Sequence, residues 1–424
     1  VVSYIFPPAG GGGVQRTAKF VKYLQAFGWR PHVLAPLKSL VGCEDPGLLA
    51  ELPPDLPVER TFCLEPEVFD DSFSFSHFSL RGLGHKMVRN LFRLLDGLAL
   101  PDEQAGWLPF AVGRGIRAVG REKIEVVFAT GPPFSSLIAG WGISRLSGRP
   151  LVLDFRDEWI PTFQNYLRKS PFRRSLERMM EKTVVRDAAR VISVTGRITE
   201  RFHERYGGSP EKFVTITNGF DAEDFPEAVP MPDGDVFRIA HTGILYRNRS
   251  PAPFLEAVQK VVSSERWKGR LKVVLAGQTE NIPEIERLGL GEVVETPGYL
   301  PHRECVSLLR DSHLLLLMID RIPASGFVYT GKIFEYLAAA RPVLALTEED
   351  SLAARLLSDF SCGTIVPFED ADKIARAIMN AMELWDKGRL AAPARSPELS
   401  RFERKNLARD LGALLEEAAQ GRPR

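Results

Sequence analysis

A chain of 424 residues, 44% hydrophobic and 26% charged, has an ordinary globular composition but is long for one core, so two domains are expected. The 55 Lys and Arg against 54 Asp and Glu leave a net charge of +1. That balance argues against nucleic acid as the main partner, because phosphate-backbone binding needs a strong basic excess. Cys43, Cys63, Cys305 and Cys362 are scattered without metal-ligand spacing and read as reduced, structural residues. No stretch reaches the apolar length of a membrane span and no signal-peptide pattern opens the sequence, so a cytoplasmic location is expected.

In chain order, a strand-like run from Val1 to Phe6 leads into Gly10-Gly11-Gly12-Gly13, a helix over about Val14 to Phe27 and a strand from Pro31 to Ala35. Backbone without side chains can approach a phosphate or sugar closely, and a helix N-terminus behind it favours an anion. This is not the usual dinucleotide fingerprint. Gln15 and Arg16 follow the glycines, and the second strand ends His32-Val33-Leu34-Ala35-Pro36 without a ribose-binding acid. Residues 65 to 100 fit the pattern least: Phe73, Phe75, His77 and Phe78 alternate with serines, and Lys86 to Leu98 reads as a basic amphipathic helix within an acceptor-side insertion. Strands follow at Ile124 to Ala129, Pro150 to Asp154, Val191 to Val194 and Phe213 to Thr217. Strands alternating with amphipathic helices mean parallel sheets covered on both faces, with functional residues at the carboxyl ends of strands. The Pro-rich, acidic stretch Phe225 to Asp235 reads as a linker. After it the alternation restarts, with strands at Phe237 to His241, Leu271 to Ala276, Val293 to Glu295, His313 to Met318, Pro342 to Leu346 and Gly363 to Val366. Amphipathic helices over about Ala371 to Trp385 and Glu403 to Gln420 close the chain.

The most informative segment runs from Ser325 to Leu346, where small residues precede an apolar run at helical spacing and Pro342 restarts the chain as a buried strand. A helix beginning near Gly331 points its unpaired N–H groups and positive dipole end into the preceding loop, a favourable place for phosphate. Lys332 adds a full charge at that mouth. Glu335, about one turn in, offers two acceptor oxygens to the hydroxyls of a ribose. Together they read as a grip for a nucleoside diphosphate; for an arbitrary helix, a solvated lysine and a dipole-complementing glutamate would be the blander reading.

Thr330-Gly331-Lys332-Ile333-Phe334-Glu335-Tyr336-Leu337-Ala338 resembles the donor-binding signature of retaining glycosyltransferases of the GT-B fold, glycosyltransferase family four. The resemblance implies an α/β architecture of two Rossmann-like doubly wound domains facing a central cleft. Residues 1–224 would form the acceptor-side domain and 225–399 the donor-side domain, with a helix over about 400–424 packing back on the first. It gives Glu335 the ribose, and the loop with Gly326, Thr330 and Gly331 the diphosphate and sugar. Lys332 with Arg247 or Arg249 would face the leaving diphosphate. Pro7-Pro8-Ala9-Gly10-Gly11-Gly12-Gly13-Val14-Gln15-Arg16 resembles the first loop of the same branch, so Gly11, Gly12 and Gly13 would lie beside the donor. Gly277 and Gly298-Tyr299-Leu300 would line the base as backbone, and Gly243 is a further donor-side position, where Gly243-Ile244 departs from the more common Gly-Arg. Arg16, Asp102, Trp107, Thr130, Asp154, Arg156 and Asp157 are the acceptor-side candidates. An Arg-Asp turn is also a common structural salt bridge.

Two further departures stand out. A second glutamate usually lies eight residues before the ribose one, and that position is Phe327; Thr130 stands where many relatives have a histidine near the transferred sugar. His241 and His302, flanking second-domain loops, read as structural rather than catalytic, and Asn218-Gly219-Phe220-Asp221 reads as a hinge edge. The function implied is transfer, with retention, of a sugar from a UDP- or GDP-sugar to a glycan or lipid-linked acceptor in cell-envelope polysaccharide synthesis. Neither metal nor other cofactor is expected. Lys86 to Leu98 and Arg168 to Arg190 are basic and amphipathic and could rest on the inner membrane, though a solvated face suits the second better. A non-catalytic nucleotide-sugar-binding subunit is one rival reading. A nucleotide-sugar 2-epimerase is another, and it needs several carboxylates and a histidine around the sugar, which Phe327 and Thr130 disfavour.

Overall fold

A computed structural model describes residues 1–37, 43–64, 100–160, 170–225, 230–245, 250–277, 282–319 and 329–421. Two parallel sheets organise these residues. In the first, Val2 bridges both β1 (Val33–Pro36) and β3 (Val127–Gly131), so the opening residues act as a short strand between them. Outward from there lie β2 (Val58–Thr61) on one side and β4 (Leu151–Phe155), β5 (Arg190–Ser193) and β6 (Phe213–Thr215) on the other, all pairs parallel. In the second sheet the strands are β7 (Phe237–Thr242), β8 (Leu271–Ala276), β9 (Val294–Gly298), β10 (Leu314–Met318), β11 (Val343–Leu346) and β12 (Gly363–Val366). Their order is β12-β11-β10-β7-β8-β9.

The continuous apolar runs have a direct cause. Every residue of β3, β4, β10 and β11 is buried, because helices cover both faces of a parallel sheet and leave no wet side for a polar residue. Four helices place the site: α1 (Gly12–Leu24), α2 (His302–Arg310), α3 (Lys332–Ala339) and α4 (Arg404–Gln420). The first begins within the glycine run, two residues earlier than hydrophobic spacing alone suggests; Gly11, at φ +89°, makes the turn that admits it. Leu407, Leu411, Leu414 and Leu415 of α4 pack with Phe20, Tyr23 and Leu24 of α1 and with Phe128 and Val152, so the last helix seals one face of the first sheet.

The two crossings between domains run side by side. Phe220 N–H donates to the Phe402 carbonyl at 3.1 Å, and Arg404 N–H donates to the Phe220 carbonyl at 2.8 Å. A Cβ on Gly219 would fall 2.0 Å from the Phe402 carbonyl oxygen, which explains the glycine in this crossover. The expected insertion, including Lys86 to Leu98, lies outside the described residues apart from Leu100 at its end.

Candidate active site

Each sheet has a point where strand order reverses, and in open α/β sheets ligands bind outside the carboxyl ends of strands there. In the second domain this point lies between β7 and β10, and Lys332 occupies it. Lys332 Nζ is 3.3 Å from His241 Nε2, while His241 Nδ1 is 2.8 Å from the Leu316 carbonyl. A carbonyl only accepts, so Nδ1 carries the proton and the Nε2 lone pair faces the lysine. His241 is therefore the seat of the lysine head, a more specific place than the sequence assigns it.

Glycine makes that seat accessible. A Cβ on Gly243 would come within 2.2 Å of both Cε and Nζ of Lys332, and Gly243 has φ +130°. A Cβ on Gly277, at φ +139°, would fall 2.1 Å from the Gly243 carbonyl oxygen. Gly243 N–H donates to Ala276 and Gly277 N–H to Gly298, each at 2.7 Å, so the ends of β7, β8 and β9 form one ledge of bare backbone. Gly243→Ala is expected to displace Lys332, lowering turnover at least tenfold and stability by about 1–3 kcal/mol through the strained φ. Steady-state kinetics with denaturant unfolding checks both.

Glu335 lies on the next turn of α3, its side chain 21% exposed. His302 stands beside it, with Nδ1 4.0 Å from Oε1. The Thr330 hydroxyl is buried without a partner among the described residues, and Gly331 is exposed, with open space where its Cβ would be. Arg247, Arg249, Gly326 and Phe327 lie outside the described residues.

Across the cleft, the first-domain glycines touch the second domain directly. A Cβ on Gly10 would stand 2.3 Å from the Tyr299 hydroxyl oxygen, and Gly11 N–H donates to that oxygen at 3.3 Å. Burial pushes the Tyr299 phenol up to about 12, so it stays protonated. The side chain of Tyr299, beyond the backbone contribution expected of it, spans the two domains. Arg156 donates from Nη1 to the Gly13 carbonyl and from Nη2 to the Pro132 carbonyl, stapling the glycine loop to the turn after β3. With both terminal nitrogens donating to these carbonyls, Arg156 braces the loop. A Cβ on Gly13 would sit 3.1 Å from Arg156 Nη1, while one on Gly12 would meet nothing.

The other acceptor-side candidates separate by burial. Asp154 is fully buried and takes both Nε and Nη2 of Arg16, the latter at 2.7 Å, and the Thr130 hydroxyl at 2.7 Å. Arg16 also donates to the carbonyls of Thr217 at 2.6 Å and Ile216 at 2.9 Å. Arg16, Thr130 and Asp154 thus bond one another inside the first domain and tie α1, β3, β4 and the end of β6 together; the expectation that they contact acceptor is corrected. Trp107 is also corrected: it is fully buried, donates to Thr61 at 2.7 Å and packs edge-on against Tyr4. Asp102 accepts from the Ser135 amide at 3.0 Å and from the Ser135 hydroxyl, holding the start of the helix Ser135–Ser147. Its carboxyl is engaged there, and burial raises its pKa above the usual range. Asp157 is different. Just beyond β4, it is solvent-accessible yet surrounded closely enough that burial raises its pKa against the opposing pull of Arg156.

One buried cation had no signal in the sequence. Arg404, at the start of α4, is 5% exposed with Nη1 unpartnered among the described residues, and burial brings its pKa down to about 10 in the field of Arg16, Glu335, Asp221 and Asp154.

Residues 11–219 match the family model described as a glycosyl transferase 4-like domain, and residues 236–383 match that of the glycosyl transferases group 1. The chain is a group 1 glycosyltransferase. As such it is an enzyme that moves a sugar from a nucleotide-sugar donor. Solved structures place this group 1 glycosyltransferase in the GT-B fold. A glycosyltransferase from Rickettsia africae superposes with a TM-score of 0.64 at 14% identity, covering 99% of this chain and 98% of the other. Anabaena HepE in complex with UDP and glucose gives 0.64 at 16% identity, covering 97% and 98%. A putative UDP-N-acetylglucosamine 2-epimerase from Listeria monocytogenes gives 0.56 at 14%, covering 98% and 96%, so the fold alone does not separate transfer from epimerisation. Among curated proteins no sequence relative matches.

Proposed function

We propose that this glycosyltransferase transfers a sugar with retention of configuration from a UDP- or GDP-sugar to a glycan or lipid-linked acceptor of cell-envelope polysaccharide. The observation that carries the donor half is α3 at the β7–β10 reversal, where the first-turn N–H groups, Lys332 Nζ and the Glu335 carboxylate share one helix end. The likeness to HepE, solved with UDP and glucose, supports a uridine donor within that reading. The Gly243–Gly277–Gly298 ledge gives the base a backbone wall, and Gly11 to Gly13 close over the diphosphate.

The chemistry follows from where charge appears. The bond from the anomeric carbon to the departing phosphate oxygen breaks, and the acceptor hydroxyl oxygen bonds to the same face of that carbon. Its proton passes to the departing phosphate. Lys332, the α3 amides and Arg247 or Arg249 meet the growing diphosphate charge without a metal ion or other cofactor. Asp157 orients the acceptor hydroxyl from the first domain. Residues 1–224 act as the acceptor-side unit and 225–399 as the donor-side unit.

No described helix is long and apolar enough to cross a membrane. The helix Pro171–Asp187 does expose Phe172 (73%) and Met179 (59%) beside the exposed Arg178, Lys182 and Arg186, as a helix resting on an anionic leaflet would. We place the enzyme in the cytoplasm with peripheral contact there.

The decisive experiment titrates the protein with UDP, GDP and ADP and repeats the best ligand on Glu335→Ala. A loss of about 1–3 kcal/mol supports the ribose assignment. Unchanged affinity removes it.

A further inference from the structure

The donor glutamate is wired to the first domain. Asp45, which lies in the first domain before β2, accepts from the His302 amide at 2.9 Å through Oδ2, capping α2 across the cleft where Pro301 offers no side-chain cap. The His302 ring lies between two carboxylates, with Nε2 3.0 Å from Asp224 Oδ2 in the crossover and Nδ1 4.0 Å from Glu335 Oε1. Asp224 is itself 3.4 Å from Lys19 of α1, whose ammonium also reaches Asp221 at 2.6 Å and Glu51 at 2.5 Å. A continuous polar chain thus leads from α1 through the crossover and His302 to Glu335.

We propose that His302 is a positioning residue for Glu335, holding the carboxylate for the ribose only while the first domain holds His302, so that nucleotide affinity is tied to contact between the domains. This rests on the ribose assignment above. With both ring nitrogens protonated, His302 donates to Asp224 and presents Nδ1–H toward Oε1, leaving the outer lone pairs of Glu335 for the two hydroxyls. When neutral, the ring keeps one proton. If Asp224 retains it, a lone pair faces Oε1 and Glu335 loses its hold.

The groups facing the ring favour the charged form. Burial alone would lower its pKa, but Asp224 and Glu335 override that, against a smaller opposition from Lys19, and the pKa stands above the ordinary histidine value. Asp45 meets the backbone amide, and the Cys305 thiol, one turn along α2, is kept protonated by burial. For a raised histidine the stabilisation is complete below its ordinary pKa and is lost as pH rises through the raised one. Nucleotide affinity should therefore fall as pH rises above the ordinary histidine range.

The test is calorimetric titration with UDP from pH 6 to 9 on the full chain, for wild type, His302→Gln, Asp224→Asn, Glu335→Ala and the His302→Gln/Glu335→Ala double variant. Comparing variants with one probe cancels the titration of UDP itself. The expected result is a three- to tenfold loss of wild-type affinity at alkaline pH, beyond the change seen in His302→Gln. Asp224→Asn should move that loss to lower pH, and His302→Gln should add nothing in the Glu335→Ala background. Asp224→Asn tests the same wiring should His302→Gln not fold. If wild type and His302→Gln share one profile while Glu335→Ala is weakened, this inference is overturned and the ribose reading stands. If wild type binds none of UDP, GDP and ADP, the ribose reading falls and this one with it.

Discussion

Lys332→Ala should lower kcat about 10²–10³-fold while changing the donor KM much less. The reason is timing. A diphosphate bound in the ground state already spreads its charge over the α3 amides, and the extra negative charge at the bridging oxygen appears only as the glycosidic bond breaks. An interaction made mainly in the transition state is lost from kcat and kcat/KM together. The structure sharpens this expectation, because the ammonium is held at a fixed point by His241 Nε2 and passes over Gly243, where not even a Cβ fits. Lys332→Arg should therefore fail to restore activity: a planar guanidinium is bulkier than an ammonium and needs a different geometry. Steady-state kinetics with the sugar nucleotide whose diphosphate binds in titration is the check, with UDP affinity measured on the same variants. A Lys332→Ala enzyme within threefold of wild-type kcat would mean that the lysine does not face the leaving group.

Much of the fold was legible because burial on both faces writes parallel strands as unbroken apolar runs. Leu314 to Met318 and Val343 to Leu346 leave little choice of element. The start of α3 at Lys332 was also legible, since small residues before an apolar helical pattern mark a helix entry. What the sequence did not separate were polar residues whose roles depend on partners far along the chain. Asp154 and Asp157 stand three places apart in one turn motif, yet the first is buried against Arg16, 138 residues away, and the second is exposed. His302 reads as an isolated histidine until folding brings Asp224, 78 residues distant, to its ring. Periodicity finds the carboxyl end of a strand. It does not say which carboxylate there points inward.

That distinction has a stability consequence, and Asp154 carries the largest one. Asp154→Ala should lower unfolding free energy by about 3–5 kcal/mol, because it leaves the Arg16 guanidinium buried with two carbonyls and no counter-charge. Arg16→Met should cost a similar amount for the mirrored reason, leaving the Thr130 hydroxyl as the carboxylate's hydrogen-bond donor among the described residues. Replacing both with apolar residues of similar volume, Arg16→Met with Asp154→Leu, should recover much of the loss, since breaking one side of a buried pair costs more than removing the pair. Denaturant unfolding of wild type, Arg16→Met, Asp154→Leu and the double variant closes the cycle, and strict additivity would rule out the direct pair. Asp157→Asn supplies the contrast. Accessible and without a hydrogen bond of this kind among the described residues, it should leave the unfolding midpoint nearly unchanged while weakening transfer to acceptor. If instead Asp154→Ala kept full stability and lost only acceptor affinity, the Arg16–Asp154–Thr130 cluster would belong to the cleft and not to the core.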